Sequence, residues 1–361
     1  MQDSKKELES KLGSHFKGDQ RRILVLTRLI LGILHLGSVS YSKLSKVLNE
    51  LVKRSSNYKR IQRFMKEFRF DRGVYIQFIW SLFVQKNNWV ALSIDRTNWK
   101  FGQSNINILM LGISYKGTAI PLVWKLLNKR GNSDTLERIE LLESLKIGLT
   151  EEQFGQIKCL LMDREFVGKE WISYLKKQPF TFITRIRCNT KIRKLGKHKE
   201  VAARLLFQDE YFKVLRKQRI IWGHQLYIAG QKNGDKDYLI LVSNQPLSQG
   251  KKFYGERWGI EVFFAACKTR GFNFEDTHVT KPDRIFNLLF LIALAFVWAI
   301  KTGEWLIKNG TRIPIKKIKQ RKAKLYSIFR IGFDHLQQKL LYHTPFFNEI
   351  RLLSCTEYTV N

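Results

Sequence analysis

Between Arg21 and about Phe83, apolar residues recur every three or four positions, and polar residues such as Ser40 and Ser56 fall where helix caps belong. That spacing predicts a helical region. Within it, Ser55 to Phe68 puts Tyr58, Ile61, Phe64, Met65 and Phe68 on one face and Lys59, Arg60, Arg63 and Lys66 largely on another. The basic side suits either solvent or the phosphates of a nucleic acid.

After Asn88 the period changes. Trp89 to Asp95 is a short apolar run ending in a carboxylate. Asn105 to Tyr115 and Thr118 to Leu127 read as two further strands, with Lys116-Gly117 as the turn between them. Asp134 to Leu145 is helix-like, Gln156 to Asp163 is another strand ending in a carboxylate, and Gly168 to Lys177 is a helix before the strand Phe180 to Arg187. Short alternating strands and Lys/Gly-rich turns such as Lys232-Asn233-Gly234-Asp235 fill Asn189 to Gly250. Helical patterning returns from Gln249 through Lys301.

Inside that last stretch, Ile285 to Ile300 is apolar apart from Asn287. It falls short of the roughly 18 to 20 residues a bilayer needs. Apolarity on all sides points instead to a buried helix, packed against a sheet. A basic segment, Ile313 to Leu325, precedes a final helix around Tyr326 to Leu341. The whole order is α/β, helical at both ends.

Composition adds a partner. The chain of 361 residues carries 64 Lys and Arg against 31 Asp and Glu, a formal charge of +33. Such an excess repels itself unless a polyanion neutralises it, and nucleic acid is the polyanion that fits best. Cys159, Cys188, Cys267 and Cys355 form no C-x-x-C pair, which excludes a zinc ribbon or disulfide scaffold and fits a reducing cytoplasm. The histidines lack zinc-site spacing, and the N-terminus lacks a signal-peptide pattern.

Asp95 and Asp163 each end an apolar run, where a sheet presents side chains at its rim. Two rim carboxylates can share a hard divalent cation, although strand-end aspartates are also common turn residues. In KKFYGERWGIEVFFAACKTRGF, helical spacing gathers Tyr254, Arg257, Glu261 and Lys268 near one face. One carboxylate is thereby set among phosphate-binding groups, or alternatively in a simple Arg-Glu pair one turn apart.

This segment resembles the YREK signature of bacterial DDE insertion-sequence transposases of the insertion-sequence-four type, with Tyr254, Arg257, Glu261 and Lys268 at matching positions. The blocks SIDRTNWKFG around Asp95 and LMDREFVG around Asp163 are similar to the family's other two. The resemblance, strongest from about Ser55 to His278, implies an RNase H-like catalytic core holding Asp95, Asp163 and Glu261 as catalytic metal ligands. It implies Mg²⁺, replaceable by Mn²⁺ and present as two ions, and it places a β-rich insertion between Asp163 and Glu261. It further implies a homodimer acting on double-stranded DNA, both terminal inverted repeats and target, in the bacterial cytoplasm at the nucleoid, with no membrane partner.

The expected layout is a helical DNA-binding region at 1–85 and a core at 86–188. The insertion covers 189–250, the core is completed over 251–301, and a basic helical region follows at 302–361. Expected DNA contacts are Tyr254, Arg257, Trp258, Lys268, Lys59, Arg60 and Arg63. Family members often form a DNA hairpin with a base flipped onto an aromatic ring. Trp258 is a candidate for that stacking, and Trp222 reads better as core. Glu165 and Glu256 match no catalytic position. A non-catalytic DNA-binding regulator and an RNase H-like nuclease or resolvase are the alternative readings.

Overall fold

The computed structural model describes residues 1–16, 18–234, 237–318 and 321–354. The chain divides into two compact units. One comprises Met1–Phe83, Phe101–Ser104 and Phe264–Asn361, and the other Val84–Lys100 and Asn105–Phe263.

The first unit is helical. It begins with α1 (Gln2–His15), α2 (Gln20–Leu36), α3 (Tyr41–Val47), α4 (Arg54–Glu67) and α5 (Arg72–Phe83). Asp19 caps α2 by accepting from the Arg21 amide, and Gly37 ends it in the left-handed conformation. Ser40 stands at the N-cap of α3, as its sequence position predicts. Ser56, in contrast, lies inside α4, because the helix starts two residues earlier. The α4 core face is Asn57, Ile61, Phe64 and Met65. Buried Asn57 replaces Tyr58 on that face, and its amide donates to the carbonyls of Ser45, Asn49 and Val52 between α3 and α4.

The sheet unit follows in sequence. Its elements run β1 (Val90–Phe101), β2 (Ser104–Tyr115), β3 (Thr118–Leu126), α6 (Thr135–Glu143), α7 (Glu151–Gly155), β4 (Ile157–Met162), α8 (Lys169–Leu175) and β5 (Thr181–Arg185). Asp134 and Glu137 form a capping box on α6, satisfying two backbone amides that the helix leaves unpaired. Strands β6 (Lys191–Lys194), β7 (Glu200–Ala202), β8 (Lys213–Val214), β9 (Arg219–Ile221), β10 (His224–Asn233) and β11 (Asp237–Ser243) come next.

The first five strands lie in the order β3-β2-β1-β4-β5. β3 is antiparallel to β2, whereas β4 is parallel to both β1 and β5. This is the RNase H-like arrangement that the family resemblance implies. The β-rich stretch extends the same sheet. β11 pairs antiparallel with β5, placing Val242 opposite Thr184, β10, β9, β6 and β7 continue outward, and β8 pairs with β10, making one sheet of 11 strands among the described residues.

The chain leaves the sheet through α9 (Gly250–Gly255), a 3₁₀ turn at Glu256–Trp258, and α10 (Gly259–Cys267). The helical unit is completed by α11 (Pro282–Lys308), the strand pair β12 (Ile315–Ile318) and β13 (Arg321–Lys324), α12 (Ile328–Leu341) and α13 (Phe347–Arg351). The basic segment therefore contains two antiparallel strands.

α11 contains the apolar run and is long and apolar enough to cross a membrane, yet 89% of its apolar window is buried inside the protein. Its neighbours are the helices α2, α4, α12 and α13, not a sheet, which corrects the packing partner expected from apolarity alone. Continuous burial says that every side is covered; it does not say by what. The polar exception is accounted for: the Asn287 amide donates to the carbonyls of Met65 (3.0 Å) and Phe68 (2.9 Å), which the end of α4 leaves unpaired. Cys355 lies outside the described residues.

Candidate active site

Two neighbouring strands bring the first two carboxylates together. β1 and β4 run parallel with Ile94 opposite Met162, so Asp95 and Asp163 occupy the next position on each. β4 ends there. β1 does not: it continues to Phe101, so Asp95 marks the end of the pairing with β4 rather than the end of its own strand. In each case the amide of the following arginine donates to the aspartate's Oδ1 at 2.7 Å, from Arg96 to Asp95 and from Arg164 to Asp163. The Thr184 hydroxyl on β5 donates to the Asp163 carbonyl.

The third carboxylate arrives with α10. The sequence spacing predicts one helical face through Tyr254, Arg257, Glu261 and Lys268, but the 3₁₀ turn at Glu256–Trp258 interrupts it. Gly259 allows α10 to start hard against β3, where a Cβ would lie 2.5 Å from the Thr118 carbonyl oxygen. Any larger residue would push the helix away from the sheet.

At this junction Arg257 is buried and joins two of the three carboxylates. Its guanidinium donates to Asp95 Oδ2 at 3.2 Å and to Glu261 Oε1 at 2.6 Å. The Tyr254 hydroxyl donates to Asp163 Oδ1 at 3.4 Å. The simple Arg-Glu pair one turn apart thus exists, and it reaches across to Asp95 as well. Among the described residues no three His, Cys, Asp or Glu side chains already stand close enough together to hold a metal ion. The guanidinium stands between the carboxylates instead.

The electrostatics of the rim are perturbed at Asp95. Burial is the main cause that raises Asp95 from 3.8 to about 6. The Arg96 amide and Arg257 pull it down, while the charges of Glu165 and Asp163 push it further up. Burial also pushes the Tyr254 phenol well up, so it stays a neutral donor. The buried Nε of Arg257 has no hydrogen-bond partner. Oxygen donors with excess negative charge fit a hard divalent cation.

The remaining predicted residues spread out. Trp258, next to Arg257, is 61% exposed. Lys268 follows α10 in the helical unit, where its ammonium pairs with Glu275 at 2.7 Å. Lys59, Arg60 and Arg63 are exposed on α4, also in the helical unit. Glu256 is exposed and Glu165 is half-buried.

Trp222 departs from its expected place in the core. It is only half-buried and holds φ at 50° before Gly223 at 81°, forming the two-residue turn between β9 and β10. Hairpin turns of this kind favour Asn-Gly, so a tryptophan there is held under strain of order 1 kcal/mol. It lines a cavity of about 850 Å³ with Arg164, Arg187, Lys191, Arg193 and His198, opposed by Glu165 and Glu200. Arg164 is expected from the sequence to orient the carboxylates or bind phosphate, whereas Arg187, Lys191 and Arg193 were not singled out, although the basic run Arg185 to Lys194 carried the signal.

An RNase H-like sheet with acidic residues at the rim of adjacent parallel strands defines a class of domain built for phosphoryl transfer on polynucleotides. The family model described as Transposase DDE domain matches residues 91–298, more than half of the chain, and the chain belongs to that family. Domains of this family depend on divalent metal ions and act on DNA. No protein with a curated description matches the chain.

Proposed function

We propose that this protein is the transposase of a bacterial insertion sequence of the insertion-sequence-four type. It binds the element's terminal repeats as a homodimer, cleaves the DNA and joins the freed 3′ ends to a target. The observation that carries this reading is the convergence of Asp95 and Glu261 on Arg257, with Asp163 tied to Tyr254 beside them.

Asp95, Asp163 and Glu261 are the residues that would hold Mg²⁺, or Mn²⁺ in its place, as two ions. A bound pair supplies Lewis-acid charge at the phosphate and activates a water or 3′-hydroxyl. Arg257 has a planar fork that suits phosphate oxygens as well as carboxylates, and Tyr254 offers a neutral hydroxyl beside it. Exposed Trp258 offers a stacking face. Trp222, with the cationic cavity behind it, is a second such face for an unpaired base. Lys59, Arg60 and Arg63 on α4 are suited to duplex phosphates at the repeats, and Lys268 adds a further positive charge.

The test is a cleavage and strand-transfer assay with tagged 3′ ends in Mg²⁺. Asp95→Asn, Asp163→Asn and Glu261→Gln should each reduce cleavage by about 10³-fold or more while end binding persists. Full cleavage by any one of them refutes the assignment. Cleavage without joining identifies a nuclease or resolvase, and end binding without cleavage by the wild type identifies a regulator.

A further inference from the structure

The segment carrying Asp163 has no strand ladder of its own. It leaves β4 as a tight turn closed by the Phe166 amide donating to the Asp163 carbonyl at 2.9 Å. Two arginines far away in sequence supply what fixes it.

Arg96, directly after Asp95, turns its guanidinium toward this turn. Its Nε and one terminal nitrogen donate to the two carboxylate oxygens of Glu165, both at 3.2 Å. That terminal nitrogen also donates to the Asn132 side-chain oxygen (3.2 Å), and the other donates to those of Asn107 (3.1 Å) and Asn98 (3.3 Å). All the donors of the fork are therefore engaged, and the pair is largely enclosed, with side chains 12% and 20% exposed. Asn107 is anchored in turn by donating to the carbonyls of Lys129 and Gly131.

Arg138 on α6 works on the backbone of the same turn. It is 4% exposed and donates to the carbonyls of Glu165 (3.1 Å) and Val167 (3.2 Å) and to the Ser133 hydroxyl (2.9 Å). Its guanidinium lies 5.2 Å from the centre of the buried Phe166 ring.

We infer that Arg96 and Glu165 are a positioning pair that sets the Asp163 carboxylate relative to Asp95, with Arg138 fixing the backbone between them. Glu165 acts through Arg96 and is not an independent metal ligand. Arg96 is the next residue after one rim aspartate and Glu165 lies two beyond the other, so their ion pair ties β1 to the turn that follows β4. Residues that orient metal ligands typically change metal affinity about 10- to 100-fold when removed. The inference rests on the proposed reading of Asp95 and Asp163 as metal ligands.

The test uses the full chain and Mn²⁺ alone. Calorimetry compares wild type, Arg96→Gln, Glu165→Gln and the double variant. Each single substitution should weaken Mn²⁺ binding about 10-fold, and the double variant should bind about as weakly as either single one, since both break the same contact. Arg96→Lys keeps the charge but loses the fork and should fall between wild type and Arg96→Gln. If removing Glu165 costs the same factor with Arg96 present or absent, Glu165 is a ligand in its own right and the inference fails. Wild-type affinity in both single variants also overturns it.

Should the wild type bind no Mn²⁺, the metal reading of the rim is what fails. Amide hydrogen exchange at Phe166 then decides the positioning role separately. Both single substitutions should speed exchange, with no further increase in the double variant. Unchanged exchange removes the clamp.

Discussion

Each unit draws a carboxylate out of full contact with water, Glu349 almost completely and Asp95 to a side-chain exposure of 16%, and the two are treated in opposite ways. Glu349, on α13 of the helical unit, is 3% exposed and accepts from His335 Nε2 at 2.7 Å. Burial pushes its carboxyl up, but the His335 hydrogen bond, its own backbone amide and the charges of His335 and Lys339 outweigh this and hold it below the usual range. Asp95 in the sheet unit also has a cation in contact, Arg257, yet it ends well above the usual range, at about 6. At Glu349 the His335 hydrogen bond and the backbone amide together outweigh burial. At Asp95 burial outweighs the Arg96 amide and Arg257, which Asp95 shares with Glu261, and the charges of Glu165 and Asp163 add a smaller push in the same direction.

Removing each carboxylate should separate the two cases most clearly. Glu349→Ala breaks a buried pair and should cost on the order of 3 kcal/mol of unfolding free energy, read from denaturant titration at pH 7. Asp95→Asn in the metal-free protein should cost nothing, or stabilise, because it removes a charge that the fold disfavours. A loss of stability in Asp95→Asn as large as that in Glu349→Ala would erase the contrast.

The pH dependence has opposite signs. Asp95 titrates at about 6 in the folded protein and near 3.8 when unfolded, so between those values the native state binds more protons. Its contribution to stability is therefore greatest at low pH and falls as pH rises from about 4 through about 6, by at most ~3 kcal/mol. Glu349 is lowered, so its contribution is present above the usual glutamate range and lost as pH falls. With chelator present, the wild-type minus Asp95→Asn stability difference should decline across pH 4 to 6 and then level off. A flat difference would show that neither burial nor the acidic rim raises Asp95.

Part of this contrast was visible in the sequence. The strand pattern located Asp95 and Asp163, and the spacing of Tyr254, Arg257 and Glu261 put phosphate-type ligands beside a carboxylate, because both signals are local and periodic. Apolarity marked the buried helix between Ile285 and Ile300 for the same reason. What stayed hidden depends on tertiary contacts. Nothing near Arg138 says that it will bind the backbone after Asp163, and Arg96 lies 69 positions from the Glu165 that it pairs with. The apolar run ends at Asp95, yet β1 continues through the polar stretch Arg96 to Lys100 because β2 lies alongside. Trp222 reads as core because it is a tryptophan, whereas the Gly223 beside it was the signal for a strained turn.

The smallest predicted effect tests the contrast at its centre. Arg257 lowers the Asp95 pKa, but less than burial raises it. Arg257→Met keeps most of the side-chain volume and removes the charge, so the Asp95 midpoint should move above about 6. The shift is expected to be modest, under about one pH unit, because Glu261 loses the same partner and can turn toward solvent, its side chain being 34% exposed already. Carboxyl-carbon NMR of Asp95 in the metal-free protein gives the midpoint directly. A downward shift would mean that Arg257 crowds the rim rather than neutralising it. The guanidinium would then be poorly placed to hold the carboxylates together, and the likeness between Arg257 at Asp95 and His335 at Glu349 would be one of distance only.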